Sequence, residues 1–460
     1  MLSFVFTLIS NINQFLWNGP LLVLLCATHI LLTIKLKFPQ RYVFKGILLS
    51  VSKSPSPKSS SGALSNAPSG VPSTATGMAT PATMSRFTAL ATSLAATLGT
   101  GNIVGVSTAI SAGGPGALFW CWITGILGMA TAYAECFLSV VYRKSSKEGF
   151  TGSPMTVMEQ GLHSKPMACF YGFFLALAGL TAGCTTQSFA ISDAAGSLWG
   201  ISPHLVGIAL ALLAGSVILG GAKRIGSFCA KVVPILGFLY IAACIYLILA
   251  NHAYILPTLD LIWDSVFTPS SVTGGILGGT VLNAARFGIA RGLFTNEAGI
   301  GTSAIAAGHT DVTDPKTQGL ISMTAVFWDT VVMCALTGLV ILSNILRYPD
   351  SINGFSGAGL TSAAFLTFPF GGSTFLTITL IAFAIATLIG WCYIGEKGTH
   401  YLFKSKGSRA YEILYILMIY VGAILPLEYV WGLTDFVNGM MVLPNVLSLF
   451  LLCHVLKPPH

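Results

Sequence analysis

Asn102 stands between glycines in the apolar run LAATLGTGNIVGVSTAISAGGPGALFWCW, residues 94–122. A second run, NAARFGIARGLFTNEAGIGTSA (283–304), places Arg286, Arg291, Asn296 and Glu297 among Gly288, Gly292, Gly299 and Gly301. Both runs are apolar enough to lie in lipid, where a freed backbone group or an ionisable side chain finds no water. Such groups are tolerated there only around a cavity or a ligand. Such breaks can hold a carboxylate on freed N–H groups and a cation or an ammonium on freed carbonyls. Unwound backbone at Thr100, Gly101 and Asn102 can offer N–H groups and a half-helix dipole to a carboxylate. Freed carbonyls near Asn283 and Phe287 can accept from an ammonium. Gln187 is the only side-chain amide in its span. The alternative for the first run is small-residue helix packing, since Gly101 and Gly105 also form GxxxG. The alternative for Gln187 is an interhelical bond. Gly113–Gly116 reads more simply as a turn.

The elements that must position these residues are membrane helices. The 460 residues are 54% hydrophobic and 8% charged, against roughly 25% charged in a soluble domain. Mean hydropathy is +0.78. The apolar runs are about 20 residues long, the helical crossing length. We read an all-α polytopic membrane protein of about eleven transmembrane helices, near 17–35, 87–112, 116–142, 168–192, 203–221, 227–250, 274–308, 319–345, 372–396, 410–427 and 430–456. The seventh is too long to be one straight helix. The N-terminal run lacks a basic flank, so it is not expected to be a cleaved signal peptide.

Of the 23 Lys and Arg, all but Arg286, Arg291 and Arg347 fall on one side of these spans. By the positive-inside rule the N-terminus is expected outside and the C-terminus in the cytoplasm of a plasma membrane, that of a bacterium. The same distribution explains the formal charge of +8 without nucleic acid. The ten cysteines lie in apolar stretches without metal-ligand spacing and read as small buried hydrophobes. Residues 52–85, rich in Ser, Pro and Gly, read as a flexible cytoplasmic loop, and 149–161 as a segment at the membrane surface. His309 and His400 are expected at the cytoplasmic surface. Glu135, Asp329, Glu396 and the charges of the second run are expected mainly in ion pairs.

Five helices followed by five of opposite topology, each set opening with a broken helix, form an inverted repeat. The expected division is 1–85 for an extra helix and loop, 86–250 for repeat one and 274–456 for repeat two.

The segments TLGTGNIVGVSTAISAGGPGALFW, ARFGIARGLFTNEAGIG and GWCYIGE (390–396) resemble signatures of the alanine or glycine:cation symporter family. The resemblance implies the five-plus-five fold. It also implies a secondary active symporter that imports a small neutral amino acid with a cation, Na+ or less often H+, by alternating access. It places Gln187 at the substrate and Trp391, one helical turn from Thr387, as a lid. It gives the cation Ala95, Leu98 and Thr387, with Thr97 and Asn102 marking a second position. The chain departs from the family pattern at Ala386, where a second hydroxyl is usual, and at Asn283 and Phe287, which replace Gln and Tyr. The implied partners are a small neutral amino acid and lipid, with a monomeric transport unit. An exchanger and a proton-coupled carrier are the alternatives within transport, and a passive channel is weaker. No HExxH, GxSxG or P-loop occurs, so an enzyme is not expected.

Overall fold

A computed structural model of the chain describes residues 2–17, 19–52, 84–146, 149–267, 281–352, 355, 357, 359–425 and 427–459. Nearly all of the loop 52–85, namely 53–83, therefore lies outside the described residues. The first helices are α1 (Leu2–Trp17), α2 (Pro20–Lys35) and α3 (Val43–Val51). The first broken span is α4 (Arg86–Thr97) and α5 (Val104–Gly113), joined by a 3₁₀ turn at Thr100–Asn102. After α6 (Gly116–Val141), a small hairpin of β1 (Lys144–Ser146) and β2 (Gly149–Thr151) leads into the turn α7 (Pro154–Thr156). Then come α8 (Lys165–Ala178), α9 (Thr186–Trp199), α10 (Pro203–Ile218), α11 (Gly221–Ala250) and α12 (Ile255–Phe267). The second broken span is α13 (Val281–Asn296) and α14 (Thr302–Gly308). The chain continues with α15 (Pro315–Val326), α16 (Ala335–Arg347), α17 (Gly359–Phe365), α18 (Gly372–Ile424) and α19 (Leu427–Leu451).

Local sequence sets these boundaries. Ser85 accepts from Thr88 N–H and Asp314 from Thr317 N–H, capping α4 and α15. Proline occupies the first turns of α2, α8, α10 and α15, where its missing N–H costs nothing. Gly114 (φ +76) and Gly200 (φ +65) end α5 and α9 in conformations that glycine adopts most readily, so 113–116 is a turn.

Among the described residues, seven helices are long and apolar enough to cross a membrane, and α4 with α5, bent by 56°, makes an eighth span. The 53 residues of α18 bend at Lys404 (φ 58, ψ −159), which splits them into two spans. With the shorter α10 and the broken α13–α14 pair, eleven segments follow in the expected order. The first is longer than expected, because α1 precedes α2 and packs on α19. Leu212, Phe238 and Leu249 stand fully outward on α10 and α11, as a lipid-facing surface requires.

Two spans carry π-helical turns inside them, Gly179–Thr185 between α8 and α9 and Phe327–Cys334 between α15 and α16. Such turns are rare and concentrate at functional sites. Here the first lies beside Gln187 and the second holds Asp329.

Candidate functional site

The two breaks meet at one place. In α4 the helical ladder ends with Leu98 N–H on Leu94 O, and Gly99 N–H turns back to Thr97 O at 2.9 Å. A Cβ on Gly99 would lie 2.8 Å from Thr387 Oγ1, and one on Gly101 3.1 Å from Thr295 Oγ1. Glycine is thus needed where this backbone meets α18 and α13. Between the breaks lies a cavity of about 20 Å³, room for a water or two. Thr97, Gly99, Thr100 and Gly101 form one wall, and Thr295 and Glu297 another. Gln187, Thr387, Trp391 and Asn438 close the rest.

Thr387 hydrogen-bonds to Phe383 O at 3.0 Å and to Leu98 O at 3.2 Å, so its hydroxyl sits against the first break. Ala95 packs on Gly390 one turn away. The three residues expected around a cation are therefore neighbours. Ala386 is fully buried. Gln187 donates to Ala182 O at 3.3 Å across the π turn, while its Oε1 has no partner. Trp391 seats on Gly183, leaving no room for a Cβ there.

Asn102 does not line the cavity. Its amide donates to Asp329 Oδ1 at 2.7 Å and to Asp329 O at 3.0 Å, so the residue ties the first break to the π turn of the eighth span.

Asn283 and Phe287 lie elsewhere. They belong to the unbroken helix α13, whose end at Asn296 is nine residues, about 13 Å, beyond Phe287. Asn283 O abuts Gly113 at the turn after α5, and Arg286 stacks on the Phe287 ring. The backbone frees itself later, at Glu297 (φ +54), Gly299 (φ +96) and Gly301 (φ +93). Gly288 and Gly292 keep helical geometry and instead let α13 approach α6 closely, meeting Ala117 and Cys121.

Neutral groups, rather than ion pairs, hold the buried carboxylates. Glu135 Oε1 accepts from Gly299 N–H at 2.9 Å and from Asn445 at 2.7 Å, and Asn445 also donates to Gly299 O at 2.9 Å. Tyr171 donates to Ile300 O at 2.7 Å and Ser139 to Ala304 O. Side chains of three other helices thus satisfy the second unwound backbone, as lipid depth demands. Asp329 is held by Asn102 and Thr330. The nearby His29 ring bonds Thr131, bringing α2 against the same region.

Two further sets of contacts tie the spans together away from the cavity lining. Ser107 donates to Gly357 O, Gly357 N–H to Ser111 at 3.0 Å, and Thr361 to Ile103 O at 2.8 Å. On the side of the basic loops, Asp311 N–H reaches Met84 O, and Arg143 reaches Val312 O at 2.9 Å. Lys144 pairs with Glu159 at 2.9 Å, and Tyr401 donates to the same carboxylate. Burial alone would raise the Glu159 pKa, but Lys144 and Tyr401 outweigh it and hold it below the usual value. Glu396 pairs with Lys397 at 3.0 Å. His309 is buried rather than at the surface, its ring bonded to Ile305 O and set edge-on to Tyr393.

Thr295 and Asn438 enter the cavity without having been singled out, and Glu297, a charge of the second run expected mainly in an ion pair, lines it as well. An intramembrane carboxylate two residues before Gly299 was the available signal for Glu297. Asn438 gave none beyond its amide.

A family model described as the sodium:alanine symporter family matches residues 2–458. The sodium/alanine symporter AgcS of Methanococcus maripaludis is 38% identical, over 98% of this chain and 95% of its own. A probable sodium/glutamine symporter, GlnT of Bacillus subtilis, is 33% identical over 96% of this chain and 87% of its own. The solved structure of MhsT in complex with L-phenylalanine superposes with a TM-score of 0.58 at 16% identity, covering 80% of this chain and 88% of that one. That likeness gives the fold alone, an all-α bundle of membrane-spanning helices.

Proposed function

We propose that this chain, which belongs to the sodium:alanine symporter family, imports a small neutral amino acid such as alanine or glycine together with Na+ by alternating access. The observation that carries the reading is the meeting of both helix breaks around one small cavity, with Leu98 O and Thr387 Oγ1 adjacent at its edge. The turn at Thr100–Gly101 offers backbone donors to the substrate carboxylate, with Asn102 fixing that turn from behind. Neutral oxygens of Ala95, Leu98 and Thr387 suit Na+, a hard ion that takes oxygen donors. Gln187 supplies an amide to the substrate. Trp391, seated on Gly183, limits the side chain that fits, so large residues are excluded by clash.

Contacts of the Ser107–Gly357 kind and of the Arg143–Val312 kind form the two gates, released in turn as the repeats rock around the fixed site. The basic side faces the cytoplasm of a plasma membrane, and the N-terminal helix enters from outside. Loading with both solutes favours the switch between faces, so neither leaks alone. Equilibrium binding of labelled alanine to the purified chain in Na+ and in K+ tests this. Binding that requires Na+ supports the reading, and equal binding in K+ contradicts the coupling.

A further inference from the structure

We propose that Glu297, assisted by Asn438, is the group that takes the substrate's ammonium, so that the site admits only ligands with a protonated amine. This rests on the function proposed above and gives the substrate's charged end a defined partner. Glu297 is the one charged residue among the described residues that line the cavity. It stands in the left-handed conformation (φ +54) at the second break, an uncommon conformation for a residue with a side chain, of the kind that clusters at functional sites. Its carboxylate accepts from one neutral donor, the Thr302 hydroxyl at 2.5 Å. No lysine or arginine lines the same cavity. A carboxylate so placed lacks a counter-charge, and a buried charge without one is costly.

The neighbouring atoms define the missing partner. Asn438 Oδ1 and Gln187 Oε1 face the cavity buried and without hydrogen-bond partners, and the Thr100 hydroxyl is likewise unpartnered. Both amide oxygens are acceptors, as is the carboxylate. The ligand group that meets three acceptors, one of them charged, is a donor-rich cation. An ammonium brings three N–H donors and one positive charge. Leu98 O and Thr387 Oγ1 form a separate oxygen pair for the metal cation. An amine-free acid of the same size, propionate, would leave the acceptors unmet and add a second negative charge beside Glu297.

The test is equilibrium binding of labelled alanine to the full chain in lipid nanodiscs across NaCl concentrations, with propionate as competitor. Wild type should bind alanine and ignore propionate. Glu297→Gln should raise the alanine Kd about 10- to 100-fold at saturating Na+, the range of a hydrogen bond to a charged group. The Na+ half-saturation should stay within about threefold of wild type. Asn438→Leu should raise the alanine Kd about tenfold with the same Na+ response, and it decides the matter if Glu297→Gln does not fold. An alanine Kd unchanged in the folded variants would overturn the assignment. So would a loss restored by more Na+, which would make Glu297 a cation ligand. Wild type that binds no alanine would contradict the function itself, which separates the two failures.

Discussion

The Thr387 hydroxyl reaches the carbonyl of Leu98 at 3.2 Å, joining positions 289 residues apart in the chain. It does so at the point where α4 stops being a helix. A side chain of the ninth span and a backbone oxygen of the second thereby share one location, which is what a cation bridging two moving bodies requires. Removing the hydroxyl in Thr387→Val should raise the Na+ concentration for half-maximal uptake at least about fivefold, the effect of roughly 1 kcal/mol. Adding one in Ala386→Ser should lower it. Sodium titration of alanine uptake reads both, and two flat responses would move the cation elsewhere.

Gly101 lies against the Thr295 side chain, its Cβ position 3.1 to 3.5 Å from three Thr295 atoms. Gly101→Val should abolish transport while leaving the amount of protein in the membrane unchanged. The crowding falls on the site rather than on a lipid-facing surface. Immunoblots of membranes beside uptake assays check this, and normal uptake would refute the unwound wall.

Gln187 spends its amide N–H on Ala182 and leaves its oxygen open. Gln187→Ala should raise the alanine half-saturation several-fold with little change in maximal rate, because about 1 kcal/mol of binding is lost. An unchanged half-saturation would assign the residue to packing across the π turn.

Asn445 touches neither the cavity nor the cation pair, yet it donates to Glu135 and to Gly299 O. Asn445→Ala removes one donor from a buried carboxylate, a loss of about 1–3 kcal/mol. We expect a lower thermal unfolding midpoint in detergent, with ligand affinity weakened less than in site variants. A midpoint equal to wild type would show that the clamp is dispensable.

The first break was legible in sequence because Gly99 and Gly101 directly precede a bare amide, Asn102, in an otherwise apolar run. The second was legible as a region and misplaced in detail. Gly288, Gly292, Gly299 and Gly301 look alike as letters, and only dihedral angles separate the pair that packs on α6 from the pair that breaks the helix. That is why Asn283 and Phe287 are expected at the site, Thr295 is missed, and Glu297 is read mainly as a member of an ion pair. The π turns leave no trace in hydropathy, since they alter hydrogen-bond register without altering composition. His309 follows α14 directly and carries an imidazole, which suggests a surface, but α14 is short and its end is still covered by Tyr393. The buried carboxylates were visible, but their neutral partners come from distant helices, as Asn445 does for Glu135.

The most direct test of the account is uptake of labelled alanine and glycine into proteoliposomes holding the purified chain. It is run with an inward Na+ gradient, with a proton gradient alone, and with neither. Concentrative uptake under the Na+ gradient alone is the predicted result. Concentrative uptake under the proton gradient, or none in any condition, would contradict the proposed coupling or substrate.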